Sequence, residues 1–118
     1  MLRLTVIALL LLNTSALQAD NLPCLLQVIS PDCHACRFVQ SELNRLRALD
    51  AKQLDIVTLN IAKNPDEARR LNVHMVPTLI FFDIHGKEMF RHQGEWSAAE
   101  IRHKWRELGL DLYSGPGT

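Results

Sequence analysis

The sequence has few cysteines and no excess of either charge. Thirteen Lys and Arg residues balance thirteen Asp and Glu residues in 118, so the formal net charge is zero. Without a basic surplus, nucleic acid is not an expected partner. The three cysteines are an odd number, whereas a framework of structural disulfides uses pairs. Internal repeats and low-complexity segments are also absent, and the 47% hydrophobic content predicts one small domain with an ordinary core.

The longest nearly apolar run covers residues 4–12 and is too short to span a bilayer comfortably. Arg3 precedes this run, and the segment that follows it ends with the small residue Ala19. The order of a basic residue, an apolar run and a small residue predicts a secretory signal peptide over residues 1–19. Cleavage after Ala16 and an uncleaved membrane anchor are the alternatives.

We expect the exported chain to form one domain over residues 20–112, followed by a flexible tail over residues 113–118. Export, for instance to a periplasm, would place this domain in a compartment where disulfides persist.

The segment Cys33-His34-Ala35-Cys36 ends an apolar run and opens an amphipathic one, which predicts both thiols at a strand-to-helix junction. Cysteines with this spacing lie one helical turn apart and can form a disulfide without moving the backbone. A thiol at a helix N-terminus faces unpaired N–H groups and the positive end of the dipole, which favour the thiolate. Cys33 is therefore the candidate nucleophile and Cys36 the candidate resolving thiol.

Other uses of a C-x-x-C motif meet obstacles in this sequence. A zinc site needs four ligands, and neither a second C-x-x-C nor a closely spaced histidine pair is present. Attachment of a c-type haem needs His directly after the second Cys, where Arg37 stands. Two alternatives remain open: a copper carrier that uses both cysteines with His34 or His74, and a redox-silent interaction domain.

The remaining pattern predicts alternating strands and helices. Apolar runs predict strands, and apolar positions at helical spacing predict helices. Asn64 is expected to cap a short helix, and Ser97 and Glu100 form a predicted capping box at the start of the last helix. The predicted strands cover residues 24–29, 54–59, 78–82 and 87–92, and the predicted helices cover residues 35–49, 65–70 and 98–108.

Two details of this pattern concern single residues. The first strand is expected to be covered on both faces, so Cys24 at its start is expected to be an inert core thiol. His85, His92 and His103 fall on turns or polar faces, and we expect them to be solvated.

These features together resemble the thioredoxin family over nearly all of the expected domain. The matching residues are the C-x-x-C motif at the first helix, Leu59-Asn60-Ile61 followed by Asn64-Pro65, Val76-Pro77-Thr78, Gly86, Gly94 and the capped last helix. The spacing from Cys36 to Pro77 is also that of thioredoxins, which makes the resemblance specific.

The resemblance implies a minimal α/β thioredoxin fold without the additional N-terminal strand and helix. The implied architecture is a four-stranded mixed sheet, in the order 2-1-3-4, flanked by three helices. It also implies a cis peptide bond between Val76 and Pro77, with Pro77 beside the disulfide. Met75, Val76 and Pro77 are then the expected substrate-binding residues, with the Val76 backbone pairing with an extended substrate.

The chain departs from the family near the thiols, where Gln27 and His34 are the expected tuning residues. Gln27 stands where thioredoxins carry a buried acid, and Thr58 stands where they carry the lysine partner of that acid. Losing both together is physically consistent, since losing one would leave a buried, unpaired charge at a cost on the order of 3–5 kcal/mol. The acid's role in moving a proton to or from Cys36 would fall to water or His34, and His34 could also stabilise the Cys33 thiolate.

The resemblance implies an exported thiol–disulfide oxidoreductase that needs no cofactor. Its implied partners are protein thiols and disulfides, with electrons supplied by a membrane relay, and we expect a monomer. The residues themselves do not choose among reductase, isomerase and oxidase.

Overall fold

A computed structural model of the chain describes residues 21–50 and 52–112. The signal peptide predicted over residues 1–19 and the tail predicted over residues 113–118 lie outside the described residues. In the part of the chain that is described, no helix combines the length and the apolar character needed to cross a membrane.

The described residues form four strands and three helices, each within about a residue of its predicted bounds. The strands are β1 (Cys24–Ile29), β2 (Asp55–Asn60), β3 (Thr78–Phe82) and β4 (Glu88–Gln93). The helices are α1 (His34–Asp50), α2 (Pro65–Arg70) and α3 (Ala98–Glu107).

The strands form one mixed sheet in the order β2-β1-β3-β4, as the resemblance implies. Strand β2 pairs parallel to β1, because α1 carries the chain back across the sheet between them. Strand β3 pairs antiparallel to both β1 and β4. In the β3–β4 turn, the Asp83 carboxylate accepts hydrogen bonds from the backbone N–H groups of His85 and Lys87, and Gly86 supplies the positive φ of 82°.

The hydrophobic core lies between one face of the sheet and helices α1 and α3. Alternate residues of the strands meet the apolar stripe of α1, which recurs at intervals of three and four residues. The buried cluster consists of Leu25, Val39, Leu43, Leu46, Leu54, Leu79, Phe81, Ile101, Trp105 and Leu112. Helix α3 starts with the predicted capping box, in which Ser97 and Glu100 each bond the other's backbone N–H.

The expected cap of α2 is not formed by the Asn64 side chain. Asn64 occupies the N-cap position, but its side chain makes no capping hydrogen bond. Its amide Nδ2 instead donates to the carbonyl of Asn60, which also accepts from the backbone N–H of Asn64. The carbonyl at the end of β2 therefore holds this side chain in the turn, away from the first turn of α2.

The second face of the sheet is covered only in part, which corrects the expectation for β1. Along this face Val28 and Ile80 are fully buried, whereas Leu26 is partly exposed and Val57 is 42% exposed. Coverage on both faces therefore holds only toward the C-terminal end of β1, where the chain leads into α1.

Cys24 is not a core thiol, contrary to the expectation. Its neighbour Leu25 faces the core, so the two-residue period of the strand turns Cys24 to the partly covered face. The thiol is free and half-buried. Burial raises the pKa of the Cys24 thiol, and the negative charge of Asp55 on the neighbouring strand raises it further.

We expect Cys24 of the disulfide-bonded protein to react with iodoacetamide several-fold more slowly than the same thiol in urea. A raised pKa lowers the thiolate fraction at every pH below it, and the thiolate is the nucleophile. Mass spectrometry of time points in both conditions measures the two rates. Asp55→Asn should accelerate the folded reaction, because only burial then opposes ionisation, whereas equal rates in folded and unfolded protein would contradict the assignment.

Candidate active site

The turn between β1 and α1 sets the direction in which the two cysteines are presented. Pro31 and Asp32 are exposed, and Asp32 has a φ of 59°, in the left-handed region that Asp tolerates better than most residues. The chain thus leaves the sheet at Ile29 and enters the helix at His34 within a few residues. Cys33 is the last residue before the helix.

Cys33 occupies the N-cap position of α1, and both its carbonyl and its sulfur accept hydrogen bonds from backbone N–H groups of the helix. Its carbonyl accepts a hydrogen bond from the N–H of Arg37 at 3.3 Å. Its Sγ accepts from the backbone N–H of Cys36 at 3.1 Å, as a Ser or Asp oxygen does at an ordinary N-cap. The first turn of α1 carries no acidic residue. A thiolate at Cys33 would therefore be stabilised by a directed N–H and by the positive end of the helix dipole.

The two cysteines form a disulfide, with Sγ atoms 2.11 Å apart and Cα atoms 5.1 Å apart. Cys36 is buried, with 4% of its surface exposed, whereas Cys33 is partly exposed. An attacking group can thus reach the sulfur of Cys33 far more readily than that of Cys36.

A cleft of about 140 Å³ lies beside the disulfide, and apart from the two cysteines its lining residues were not among the predicted site residues. Arg37 and Gln40 follow Cys33 at intervals of four and seven residues, so they share its face of the helix. That spacing is the signal in the sequence that could have found them. Neither Arg37 nor Asp32 has a charged partner within the described residues. The cleft is lined by Ile29, Ser30, Asp32, Cys33, Cys36, Arg37 and Gln40.

The loop before β3 lies at the same end of the sheet as the disulfide. Thr78 pairs with Val28, which brings Pro77 level with Ile29 at the end of β1. The Val76–Pro77 peptide bond is cis, the isomer that the resemblance implies. Pro77 is buried, and its carbonyl accepts a hydrogen bond from the N–H of Gly94 at 2.8 Å. Residues 75–77 do not line the cleft beside the disulfide.

The backbone around Val76 is available for pairing. The carbonyl of Met75 accepts a hydrogen bond from the Thr78 hydroxyl at 2.6 Å, and the Met75 side chain is 45% exposed. In contrast, neither the N–H nor the C=O of Val76 has a hydrogen-bond partner among the residues that the structure describes. Val76 thus offers a free donor and acceptor beside an exposed apolar side chain.

Gln27 and Thr58 form a neutral pair beneath the active-site helix. Gln27 is fully buried on the central strand, and its Oε1 accepts a hydrogen bond from the Thr58 hydroxyl at 3.4 Å. Its Nε2 has no hydrogen-bond partner in the described part of the chain. The double replacement therefore leaves no buried charge at these two positions.

The histidines do not gather at the disulfide. His34 and His74 are exposed, and neither lines the cleft, so the tuning role of His34 stays a prediction. His92 is not simply solvated, because its ring stacks on Trp96 at 4.0 Å between centroids and 4° between planes. On the surface of α3, Nε2 of His103 lies 2.9 Å from Oε1 of Glu107.

Within residues 21–50 and 52–112, no group of three or more His, Cys, Asp or Glu side chains is placed to hold a metal ion. Among these residues, no histidine is therefore grouped with the two thiols, as the copper-carrier alternative expected, and this alternative is not favoured.

Comparisons with solved structures support the fold at low sequence identity. Thioredoxin-2 of the malaria parasite, described as a component of its protein secretion machinery, is 20% identical with a TM-score of 0.71, over 76% of this chain and 86% of that chain. A second malarial protein is 20% identical with a TM-score of 0.72, over 76% and 100%. Chloroplastic thioredoxin z is 19% identical with a TM-score of 0.70, over 82% and 87%. At these identities the likeness shows the fold alone.

The comparison with family models identifies the family of the chain. The thioredoxin model matches residues 13–107, a stretch that begins inside the predicted signal peptide. No curated protein matches the chain. Because the match covers most of the chain and includes the disulfide-bonded pair at Cys33 and Cys36, the chain belongs to the thioredoxin family and is a thiol–disulfide oxidoreductase.

Proposed function

We propose that the protein reduces disulfides of exported proteins, with Cys33 as the nucleophile and Cys36 as the resolving thiol. The observation that carries this assignment is the asymmetry of the pair. The sulfur of Cys33 is partly exposed and receives the N–H of Cys36, whereas the sulfur of Cys36 is buried. The more accessible and better stabilised thiolate makes the first attack.

In the first step, the Cys33 thiolate attacks one sulfur of a substrate disulfide. The substrate S–S bond breaks, and a bond forms between Cys33 and the attacked sulfur. The other substrate sulfur leaves as a thiolate and takes a proton from water. The product is a mixed disulfide between the enzyme and its substrate.

In the second step, Cys36 attacks Cys33 as a thiolate. The mixed disulfide breaks, the Cys33–Cys36 disulfide forms, and the substrate leaves with both of its sulfurs reduced. Two electrons have then passed from the enzyme to the substrate. The spacing of the pair favours this step, since the structure holds both sulfurs at bonding distance across one helical turn.

The substrate backbone is proposed to pair with Val76. Its unpaired N–H and C=O lie on the loop at the same end of the sheet as the disulfide. An extended segment that bonds Val76 would pass over the exposed Met75 side chain. Pairing through the backbone accepts many sequences, which suits an enzyme with several protein substrates.

Export is part of the proposal and depends on the leader predicted over residues 1–19. A reductase in an oxidising compartment must be returned to its dithiol form by an external dithiol donor. A membrane protein that carries reducing equivalents across the bilayer is the proposed source, and the chain acts on its substrates as a monomer.

The mechanism predicts opposite behaviour for two single substitutions. Cys36→Ser should accumulate a mixed disulfide with substrate proteins, because the resolving attack is lost. Cys33→Ser should abolish exchange and form no such adduct. Non-reducing electrophoresis followed by mass spectrometry of the adduct band measures both outcomes, and Cys24→Ser serves as the control that keeps the working pair. The absence of an adduct with reduced Cys36→Ser protein and a disulfide substrate would overturn the assignment.

The direction of electron flow is tested by the reduction potential of the Cys33–Cys36 couple. A reductase should have a reduction potential close to that of thioredoxin, about −270 mV. The potential of a dedicated oxidant is about −120 mV. Equilibration with glutathione buffers, followed by alkylation and mass spectrometry, measures the ratio of the two forms. A potential above about −180 mV, the range of isomerases, would contradict the proposed direction.

Export predicts a shortened chain in the cell envelope. The processed protein should begin at Asp20, or at Leu17 if cleavage follows Ala16. N-terminal sequencing of the protein recovered from a bacterial periplasmic fraction measures the site. Ala19→Pro should move or block cleavage, since the processing site needs a small residue. Recovery of the full-length chain with the cytosolic proteins would contradict export.

A further inference from the structure

Gln27 and Cys36 point into the same layer of the molecule. Gln27 lies two residues after Leu25 on β1, so both side chains face the core that α1 covers. Cys36 lies three residues before Val39 on α1, so it shares the apolar stripe that faces the sheet. Because β1 runs toward the start of α1 and α1 returns across the sheet, both residues lie at the same end of this layer.

The hydrogen bonds of the Gln27 amide are incomplete while the disulfide is closed. Its Oε1 accepts from the Thr58 hydroxyl on β2, but the N–H groups of Nε2 have no partner in the described part of the chain. The side chain is completely buried. A buried donor without an acceptor is unfavourable, and most such groups in native proteins are paired. If another redox state of the site offered an acceptor, Nε2 of Gln27 would gain its missing hydrogen bond.

Opening of the disulfide creates such an acceptor. In the closed form, the Cys36 sulfur is bonded to Cys33 and is a weak acceptor. After two electrons and two protons arrive from a dithiol donor, Cys36 carries a free thiol that ionises to a strong acceptor. We propose that Nε2 of Gln27 then donates a hydrogen bond to the sulfur of Cys36, directly or through one water, and so stabilises the reduced pair. This inference rests on the proposed role of Cys36 as the resolving thiol.

The proposed hydrogen bond has two consequences for the reaction. It is made only after reduction, so it shifts the equilibrium of the couple toward the dithiol. It also favours the thiolate of Cys36, which is the form that attacks the mixed disulfide. Gln27 keeps its own protons throughout, since an amide donates a hydrogen bond without releasing the hydrogen.

The test uses the reduced protein in a Cys24→Ser background, in which only the working pair carries thiols, and an aromatic disulfide reagent that releases a coloured thiolate. A first colour phase reports the attack by Cys33, and a second phase reports the attack of Cys36 on the Cys33 adduct. Gln27→Met removes the amide and keeps an unbranched side chain of similar length. We expect the second phase to slow about tenfold while the first stays within about twofold. Equilibration with glutathione should shift about tenfold toward the disulfide, which corresponds to about 30 mV.

Thr58→Val is the matched control, because it removes the partner of Oε1 and leaves Nε2 in place. It should leave the second phase and the equilibrium within about twofold of the parent protein. Urea unfolding of the oxidised and the reduced protein distinguishes the proposed hydrogen bond from a purely structural role of Gln27. If the bond forms, Gln27→Met should lower the free energy of unfolding of the reduced form more than that of the oxidised form. Gln27→Leu repeats the comparison if Gln27→Met does not fold.

The outcomes distinguish this inference from the proposed function. A second phase and an equilibrium that Gln27→Met leaves unchanged would overturn the role of Gln27 and leave the two-cysteine mechanism intact. Absence of the first phase in the parent protein would instead overturn Cys33 as the nucleophile. Equal losses in Gln27→Met and Thr58→Val would also contradict the inference, because they would reflect packing of the pair.

Discussion

The hydrogen bond from the Cys36 N–H to the Cys33 sulfur is the interaction on which the chemistry of this site depends. It places a sulfur where a helix ordinarily takes a side-chain oxygen as its cap, so the same contact that starts α1 also polarises the reactive atom. The helix then buries the second sulfur one turn later, on the stripe that packs against the sheet. The unequal exposure of two chemically identical residues thus follows from where the helix begins.

The sheet supplies the other half of the site through its register. Parallel pairing of β1 with β2 requires the crossover helix, which directs α1 to start at the C-terminal end of β1. Antiparallel pairing of β1 with β3 brings the beginning of β3 to that same end, since Val28 lies opposite Thr78. The loop carrying Val76 and Pro77 therefore reaches the disulfide region although some forty residues separate them in sequence. Backbone pairing alone accounts for this meeting, without any contact between charged side chains.

The sequence predicted the elements that are marked by a helical period or an apolar run, and it failed where a side chain chooses between two local partners. The stripe Val39, Leu43 and Leu46 has a helical period and the strand Thr78–Phe82 is an apolar run, so α1 and β3 were predicted nearly to the residue. Asn64 could bond either the helix or the carbonyl of Asn60, and His92 could face water or Trp96. Periodicity carries no information on such choices. Arg37 was not predicted as a cleft residue, because the turn that aims its face of α1 at the disulfide was not predicted in detail.

Dipoles contribute to the electrostatics at the two sulfurs, beside the charged side chains of Asp32 and Arg37 that line the cleft. The first turn of α1 has no carboxylate, and the neutral Gln27, buried beneath it, is paired with the exposed Thr58 where an acid and a lysine would be charged. Backbone N–H groups and side-chain amides do not gain or lose protons between acid and alkaline solution. Their influence on the thiols is therefore constant across that range. A buried carboxylate would couple its own ionisation to that of Cys36, and this chain avoids that coupling by its composition.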